Sequence, residues 1–82
     1  MSRWRPCKRR EFVRKLLALG FQGPYSGARH QFLRYSRYRL TLPHDEEYSV
    51  PQIKFLLREV EQIIKRKITI KEWDRGIKRK LS

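Results

Sequence analysis

His30 is the residue of this chain whose type and surroundings point most directly to chemistry. It lies in the segment Gly27-Ala28-Arg29-His30-Gln31-Phe32, and the sequence has two histidines in all. Imidazole is the side chain best suited to move a proton near neutral pH. Beside a phosphodiester, a neutral imidazole can remove the proton of a ribose 2′-OH, typically for about 10²- to 10⁴-fold in rate. That chemistry requires the rest of the chain to hold a phosphate backbone.

The charge of the chain favours such a partner. The net charge is +13, distributed as +10 over residues 1–42, −3 over residues 43–64 and +6 over residues 65–82. A polyanion is therefore expected to approach the first part of the chain and the tail, and to avoid the acidic run Asp45-Glu46-Glu47. Nucleic acid is the expected partner, and the alternative is that the charge only keeps a small protein soluble.

The remaining composition limits the class of protein. Residues 1–82 are expected to form a single domain with a modest core, because domains of about 60 residues bury about 60% of their unfolded surface. Cys7 is the only cysteine, which excludes an intrachain disulfide or a thiolate metal cluster, and we expect no metal and no other cofactor. No apolar stretch is long enough for a signal peptide or a membrane span, so we expect a cytoplasmic protein without a membrane partner.

Two long helices are predicted from apolar periodicity. The first runs from Cys7 to Leu19, where apolar residues recur at spacings of three and four, and Gly20 can end it in the left-handed conformation. The second begins after Ser49, an N-cap that forms a capping box with Gln52, and ends near Lys65.

The segment between these helices predicts strands. Residues 22–29 include Pro24 and two glycines, so they form at best a short edge strand and a turn. Residues 31–35 and 38–42 predict a hairpin about Ser36-Arg37. Helix, two or three antiparallel strands and helix together predict an α+β sandwich with both helices on one face of the sheet.

Residues 65–82 form a basic extension. Thr69 and Glu72 are spaced as a second capping box, which predicts a short third helix that carries Trp73. Trp4 lies near the other end of the chain. We hypothesise that the N-terminal arm and the third helix pack against each other or against a partner protein.

These features resemble the HicA (YcfA-like) mRNA interferase toxins. The resemblance rests on Gly27-x-x-His30-Gln31-Phe32, on a hairpin that ends in Leu42-Pro43-His44 and on the capped apolar helix that follows, and it covers residues 8–64. It implies a double-stranded-RNA-binding-domain-like α-β-β-β-α fold with a short or irregular first strand. It also implies metal-independent cleavage of mRNA and neutralisation by a HicB-like acidic antitoxin.

The resemblance also implies roles for individual residues. In the family a Gly-Ser-x-His pattern supplies the essential catalytic histidine, which corresponds to His30, and Gly27 matches the glycine. Ala28 stands where serine is usual, so a hydroxyl that can touch phosphate is missing. Pro24 interrupts the first strand, and residues 65–82 extend past the usual end of the family.

Cleavage also needs groups that stabilise negative charge on the phosphoryl oxygens. Arg29 adjoins His30, but strand alternation points it to the opposite face, so the backbone N–H groups of Gly27 and Ala28 are equally good candidates. Arg34 lies further along the strand. Candidates for contacting RNA phosphates on the first helix are Lys8, Arg9, Arg14 and Lys15.

Secondary candidates carry two interpretations each. His44 is the candidate for a second proton carrier, but its position between Pro43 and Asp45 also fits a loop-capping residue. Tyr25, Tyr35 and Tyr38 can each stack on an unpaired base or pack against the sheet. We expect Tyr38 to pack against the sheet.

Three functions fit these features of the sequence. The first is a ribonuclease toxin held inactive by an acidic protein, and the second is a non-catalytic RNA-binding module of double-stranded-RNA-binding-domain-like fold. A basic protein attached to an anionic membrane ranks last, because the apolar stripes of the helices are needed for the core. The sequence makes no prediction of the oligomeric state.

Overall fold

The structure is a computed structural model that describes residues 3–75 of the chain. Its elements in chain order are β1 (Cys7–Lys8), α1 (Arg9–Leu19), β2 (Gln22–Ser26), β3 (Gln31–Tyr35), β4 (Tyr38–Thr41), β5 (Glu47–Tyr48), α2 (Val50–Ile64) and α3 (Ile70–Arg75).

Helix α1 begins two residues later than the apolar pattern predicts. Cys7 and Lys8 form strand β1, which pairs antiparallel with Tyr48 and Glu47 of β5. The prediction of helix from Cys7 is therefore wrong, because this pairing joins distant segments and has no local signal. At the other end Gly20 adopts a left-handed φ of 114°, which confirms the predicted end of the helix.

Strands β2, β3 and β4 form a three-stranded antiparallel sheet in that order. The predicted hairpin is confirmed, with β4 ending at Thr41 and not at Leu42. Strand β2 lies at one edge, and its register shifts between Gln22 and Tyr25. It therefore has the irregular character expected of a segment rich in glycine and proline.

One face of this sheet shares a core with both long helices. Leu33 of β3 and Leu40 of β4 lie opposite each other and are fully buried. The same core includes buried residues of α1 and α2, namely Phe12, Val13, Leu16, Ile53, Leu56, Leu57 and Val60. Arg34 and Arg39 pair on the opposite face and are exposed. The chain is thus a small α+β protein whose element order is compatible with an α-β-β-β-α arrangement.

Helix α2 starts and ends as its sequence predicts. The Oγ atom of Ser49 accepts a hydrogen bond from the backbone N–H of Gln52 at 3.3 Å, and Gln52 Oε1 accepts one from the Ser49 N–H at 3.0 Å. This reciprocal pair is the predicted capping box. Lys65 follows the helix with a left-handed φ of 61°.

The first part of the basic extension belongs to the core. Ile68 and Trp73 are only 6% and 4% exposed, and the Trp73 ring centroid lies 5.4 Å from that of Phe12. The N-terminal arm contacts α3 as expected, since Arg5 Nη2 donates to Asp74 Oδ1 at 2.9 Å. Residues 76–82 lie outside the described part of the chain, so the end of the predicted extension is not covered.

The longest helix within residues 3–75 is α2, with 15 residues. A span of the bilayer core takes about 20 apolar residues in a helix. No helix of the described chain is both long and apolar enough for that.

Candidate functional site

A tight turn places His30 at the tip of the β2–β3 hairpin. Ser26 and Gln31 form the last strand pair, and the backbone N–H of Gly27 donates to the His30 carbonyl oxygen at 2.9 Å. A Cβ atom at Gly27 would lie 2.6 Å from that oxygen, which is a steric clash. Glycine is therefore required by the close approach of two backbones, and it fixes the place of His30.

His30 and His44 form a pair of exposed imidazoles. Their ring centroids lie 4.6 Å apart, with ring planes inclined by 45°. His44 Nε2 lies 2.9 Å from the backbone oxygen of Arg29. A carbonyl oxygen can only accept, so Nε2 carries the hydrogen and Nδ1 is the atom left for proton exchange. The two rings can therefore act on one bound group from adjacent positions.

Tyr48 holds the loop that carries His44. Its side chain is fully buried, and its hydroxyl donates to the Pro43 carbonyl oxygen at 2.8 Å. Burial raises the pKa of Tyr48 to about 12, so the hydroxyl keeps its proton. The sequence analysis missed this residue. The signal was available, because Tyr48 precedes the N-cap Ser49 and, with Ile53, occupies the two positions of a hydrophobic staple.

Three consecutive cations lie close to the histidine loop. Lys8, Arg9 and Arg10 line a hollow of about 260 Å³ together with Glu46, and we call these three residues the basic cluster. Arg9 also donates to Gln31 Oε1 at 3.4 Å, beside His30 in the chain. The cluster thus reaches both segments that carry the histidines. Arg10 was not among the predicted contacts, although it belongs to the same basic run.

The other predicted cations are dispersed. Lys15 donates from Nζ to the Trp73 carbonyl oxygen at 2.7 Å, and its Nζ lies 4.6 Å from the centre of the Trp73 ring. It is therefore held against α3 and does not join the basic cluster. Arg14 is exposed on α1, and Arg34 is exposed on the open face of the sheet.

The turn itself offers fewer phosphate donors than expected. The N–H of Gly27 already donates to the His30 carbonyl oxygen, so it is not available to a phosphoryl oxygen, contrary to the expectation from sequence. Ala28 and Arg29 are exposed in the turn. The Ala28 N–H and the Arg29 guanidinium are therefore the remaining candidates next to His30.

The candidate tyrosines occupy different environments. Tyr25 is exposed and its ring lies 5.6 Å from that of Phe32 on the open face of the sheet. Tyr35 packs against Phe21, with ring centroids 5.1 Å apart. Tyr38 lies opposite Tyr35 in the sheet and is 43% exposed, so its side chain is only partly covered. It is the first residue of the edge strand β4.

A mainly apolar hollow of about 250 Å³ adjoins His30, and we call it the histidine hollow. Strand β4 and the chain that follows it form one wall, and α2 forms the other. Phe55 is 65% exposed there, the most of any large hydrophobic residue in the described chain. The lining residues are His30, Thr41, Leu42, Pro43, Gln52, Phe55, Leu56 and Glu59. The sequence analysis missed Phe55, whose only signal is its position off the buried stripe of α2.

The described side chains do not form a metal site. Within residues 3–75, no three histidine, cysteine or carboxylate side chains come together as possible metal ligands. The thiol of Cys7 is half-buried, and burial raises its pKa. The reactive groups that the structure brings together at the hairpin tip are thus two imidazoles and nearby cations.

Comparison with known proteins gives no match to this chain, either among protein-family models, among curated proteins or among solved structures. The resemblance to the HicA toxins therefore rests on the residues quoted above. The histidine pair, the basic cluster and the histidine hollow are the features from which a function can be inferred.

Proposed function

We propose that this protein is a metal-independent mRNA endonuclease, the toxin of a type II toxin–antitoxin pair with a double-stranded-RNA-binding-domain-like fold. The observation that supports it most is the pair of exposed imidazoles of His30 and His44, 4.6 Å apart, next to the basic cluster. Two proton carriers and a group of cations are what metal-free cleavage of a phosphodiester requires. Its substrate, mRNA, places this activity in the cytoplasm.

His30 is the general base of the proposed reaction. Its neutral ring takes the proton from a ribose 2′-OH, and the resulting oxygen attacks the adjacent phosphorus. The bond from phosphorus to the 5′ oxygen of the next nucleotide then breaks. The products are a 2′,3′-cyclic phosphate on one fragment and a 5′-hydroxyl on the other.

His44 is the general acid in this scheme. Its Nε2 hydrogen is held by the Arg29 carbonyl oxygen, so the proton that it delivers to the leaving 5′ oxygen comes from Nδ1. After the step His30 is protonated and His44 is neutral. Both rings are exposed, so both exchange protons with water before the next turnover.

The cations supply RNA binding and charge stabilisation. Lys8, Arg9 and Arg10 contact phosphates of the bound strand, and Arg29 with the Ala28 N–H lies nearest to the scissile phosphate. Arg14 and Arg34 are exposed elsewhere on the surface and add to its positive charge. These contacts fix the position of the RNA without reading its sequence.

The proposed regulator is an acidic antitoxin that is similar to HicB. A chain with a net charge of +13 attracts a negatively charged protein as well as RNA. Because His30 and His44 are exposed, a protein bound over the hairpin tip blocks access of RNA to both rings.

Expression in a bacterium tests the proposal. Wild-type protein is expected to arrest growth and degrade mRNA, whereas His30→Ala is expected to do neither while still binding RNA in a filter-binding assay. His30 is exposed, so its replacement leaves the core intact. Identical growth and mRNA integrity with both proteins would contradict the proposal and favour a non-catalytic RNA-binding module.

A further inference from the structure

We infer that the histidine hollow binds the nucleobase of the ribonucleotide whose 2′-OH is deprotonated by His30, with Phe55 as the stacking surface and Glu59 as a hydrogen-bond acceptor for the base. This inference rests on the proposed function and adds a sequence preference to it. The base in question lies immediately 5′ of the cleaved bond.

The covalent structure of RNA places a base close to this hollow. In a ribonucleotide the 2′-hydroxyl and the base are attached to neighbouring carbons of the ribose. A 2′-OH within hydrogen-bond distance of His30 therefore brings its own base within a few ångströms of the same side chain. His30 is part of the wall of the histidine hollow, so the hollow is a recess within reach of that base.

Phe55 is suited to receive it. The buried residues of α2 are Ile53, Leu56, Leu57 and Val60, so the helix does not use Phe55 to cover the core. An aromatic ring that is 65% exposed beside a reactive imidazole offers its face to a flat partner. Stacking of a base on an aromatic side chain is worth about 1–3 kcal/mol by alanine substitution.

Glu59 adds a polar group at the rim. Gln52, the other polar residue of α2 in the lining, is held by the Ser49 backbone N–H and by Asp45 Oδ2. The side chain of Glu59 makes no hydrogen bond or salt bridge with the residues that the structure describes. A carboxylate accepts two N–H groups side by side. Guanine presents such a pair on one edge, whereas uracil presents a single N–H between two carbonyls, so we expect guanine to be preferred.

The charge of the rim favours a base over a protein partner. The expected regulator is acidic, and Glu59 together with the nearby Asp45 repels an acidic surface. A neutral base meets no such repulsion. The phosphate of the same nucleotide lies outside the hollow, on the side of His30 and Arg29.

The decisive experiment uses DNA oligonucleotides that contain one ribonucleotide. Only that residue has a 2′-OH, so cleavage is confined to the bond on its 3′ side. The residue is guanosine, adenosine, cytidine, uridine or an abasic riboside, and the proteins are the wild type, Phe55→Ala, Glu59→Gln and Tyr38→Ala. Tyr38 is the control, because it is an exposed aromatic residue at the opposite end of β4 from Thr41.

Wild type is expected to cleave the guanosine substrate about 5- to 150-fold faster than the abasic one, the equivalent of one stacked base. Phe55→Ala is expected to remove most of that difference, Glu59→Gln to remove the preference for guanosine over uridine, and Tyr38→Ala to change neither. Equal cleavage of guanosine and abasic substrates by wild type would overturn the inference. The inference would also be overturned if Phe55→Ala slowed cleavage of the abasic substrate as much as that of the guanosine substrate. Phe55 would then stabilise the fold and not bind the base.

Affinities of the same oligonucleotides separate this inference from the proposed function. In one outcome wild type cleaves none of the oligonucleotides but binds the guanosine form more tightly than the abasic form, and Phe55→Ala binds both equally. That result would support the base site and contradict the proposed nuclease. If wild type cleaves all of the oligonucleotides at one rate, that result would support the nuclease and contradict the base site. Unchanged cleavage by Phe55→Ala with weaker binding of an acidic partner protein would assign the hollow to that partner and also overturn the inference.

Discussion

The two ends of the molecule use their cations in opposite ways. At the end formed by α3 and the N-terminal arm, which we call the tryptophan end, Lys15 packs on Trp73 and Arg5 pairs with Asp74. At the end formed by the hairpin tip and the basic cluster, which we call the histidine end, no arginine or lysine of the described chain forms a salt bridge. The cations of the first end stabilise the fold, and those of the second remain available to a polyanion.

This difference between the two sets of cations indicates that stability and RNA binding depend on different residues. Unpaired like charges repel one another and lower the stability of a compact state, so a fold gains nothing from Lys8, Arg9 and Arg10 lying together. A bound phosphate chain removes that repulsion. We therefore expect substitutions at the tryptophan end to affect unfolding, and substitutions at the histidine end to affect RNA cleavage.

The largest effect on cleavage besides that of His30 is expected for His44→Ala. Loss of the proton donor is expected to slow RNA cleavage by about 10²- to 10⁴-fold, with the urea midpoint almost unchanged because the side chain is exposed. Cleavage rates and urea unfolding of the same preparation measure the two quantities. An unchanged cleavage rate would show that His44 only caps the loop.

The largest effect on stability is expected for Trp73→Ala. Removal of this buried ring from its place against Phe12 is expected to lower the free energy of unfolding by about 3–5 kcal/mol. Urea unfolding of the full chain measures this loss. Trp4→Ala, which changes a half-buried side chain of the N-terminal arm, is the matched control and is expected to cost less. An equal cost for both would contradict the central place of Trp73 in the core.

Tyr48→Phe is expected to have a moderate effect that depends on pH. It removes the hydrogen bond to Pro43, which is worth about 1 kcal/mol. The pKa of Tyr48 is raised from 10.0 to about 12, so its contribution is fully present below pH 10 and is lost as the pH rises toward 12. Urea unfolding from pH 8 to 12 should show a smaller decline for Tyr48→Phe than for wild type. If the stability of both proteins declined in parallel over this pH range, the decline could not be assigned to ionisation of Tyr48.

The smallest effect is expected for Glu72→Gln. The hydrogen bonds from Arg66 lower the pKa of Glu72, so the stabilisation is present above about pH 4.5 and is lost as the pH falls below it. Both side chains are partly exposed to water, so the loss at neutral pH is expected to stay below about 1 kcal/mol and to shrink with added salt. Urea unfolding at low and high salt measures it. A larger, salt-independent loss would show that this pair stabilises the fold in another way.

Most of the fold was predictable because its signals are local. Apolar spacing and the capping box defined α2, and alternation defined the β3–β4 hairpin. The pairing of β1 with β5 was missed because it joins segments that are distant in the sequence. The pairing of the chain before α1 with the loop after Pro43 is also what places the basic cluster beside that loop.

The candidate site was predictable only in part, for the same reason. The motif singled out Gly27 and His30, and the structure supplies the physical reason for the glycine in its close approach to the His30 carbonyl oxygen. The approach of His44 to His30, and the position of Phe55 in the hollow that His30 also lines, depend on how α2 and β4 pack. Neither residue has a local signal for its partner.

The chemistry of the RNA ends tests the central claim most directly. Purified wild-type protein is incubated with RNA in the presence of a metal chelator, and the fragments are analysed by mass spectrometry, with His30→Ala in parallel. The proposed mechanism predicts 2′,3′-cyclic phosphate and 5′-hydroxyl ends with wild type and intact RNA with His30→Ala. Fragments with 5′-phosphate ends, or equal cleavage by both proteins, would contradict it.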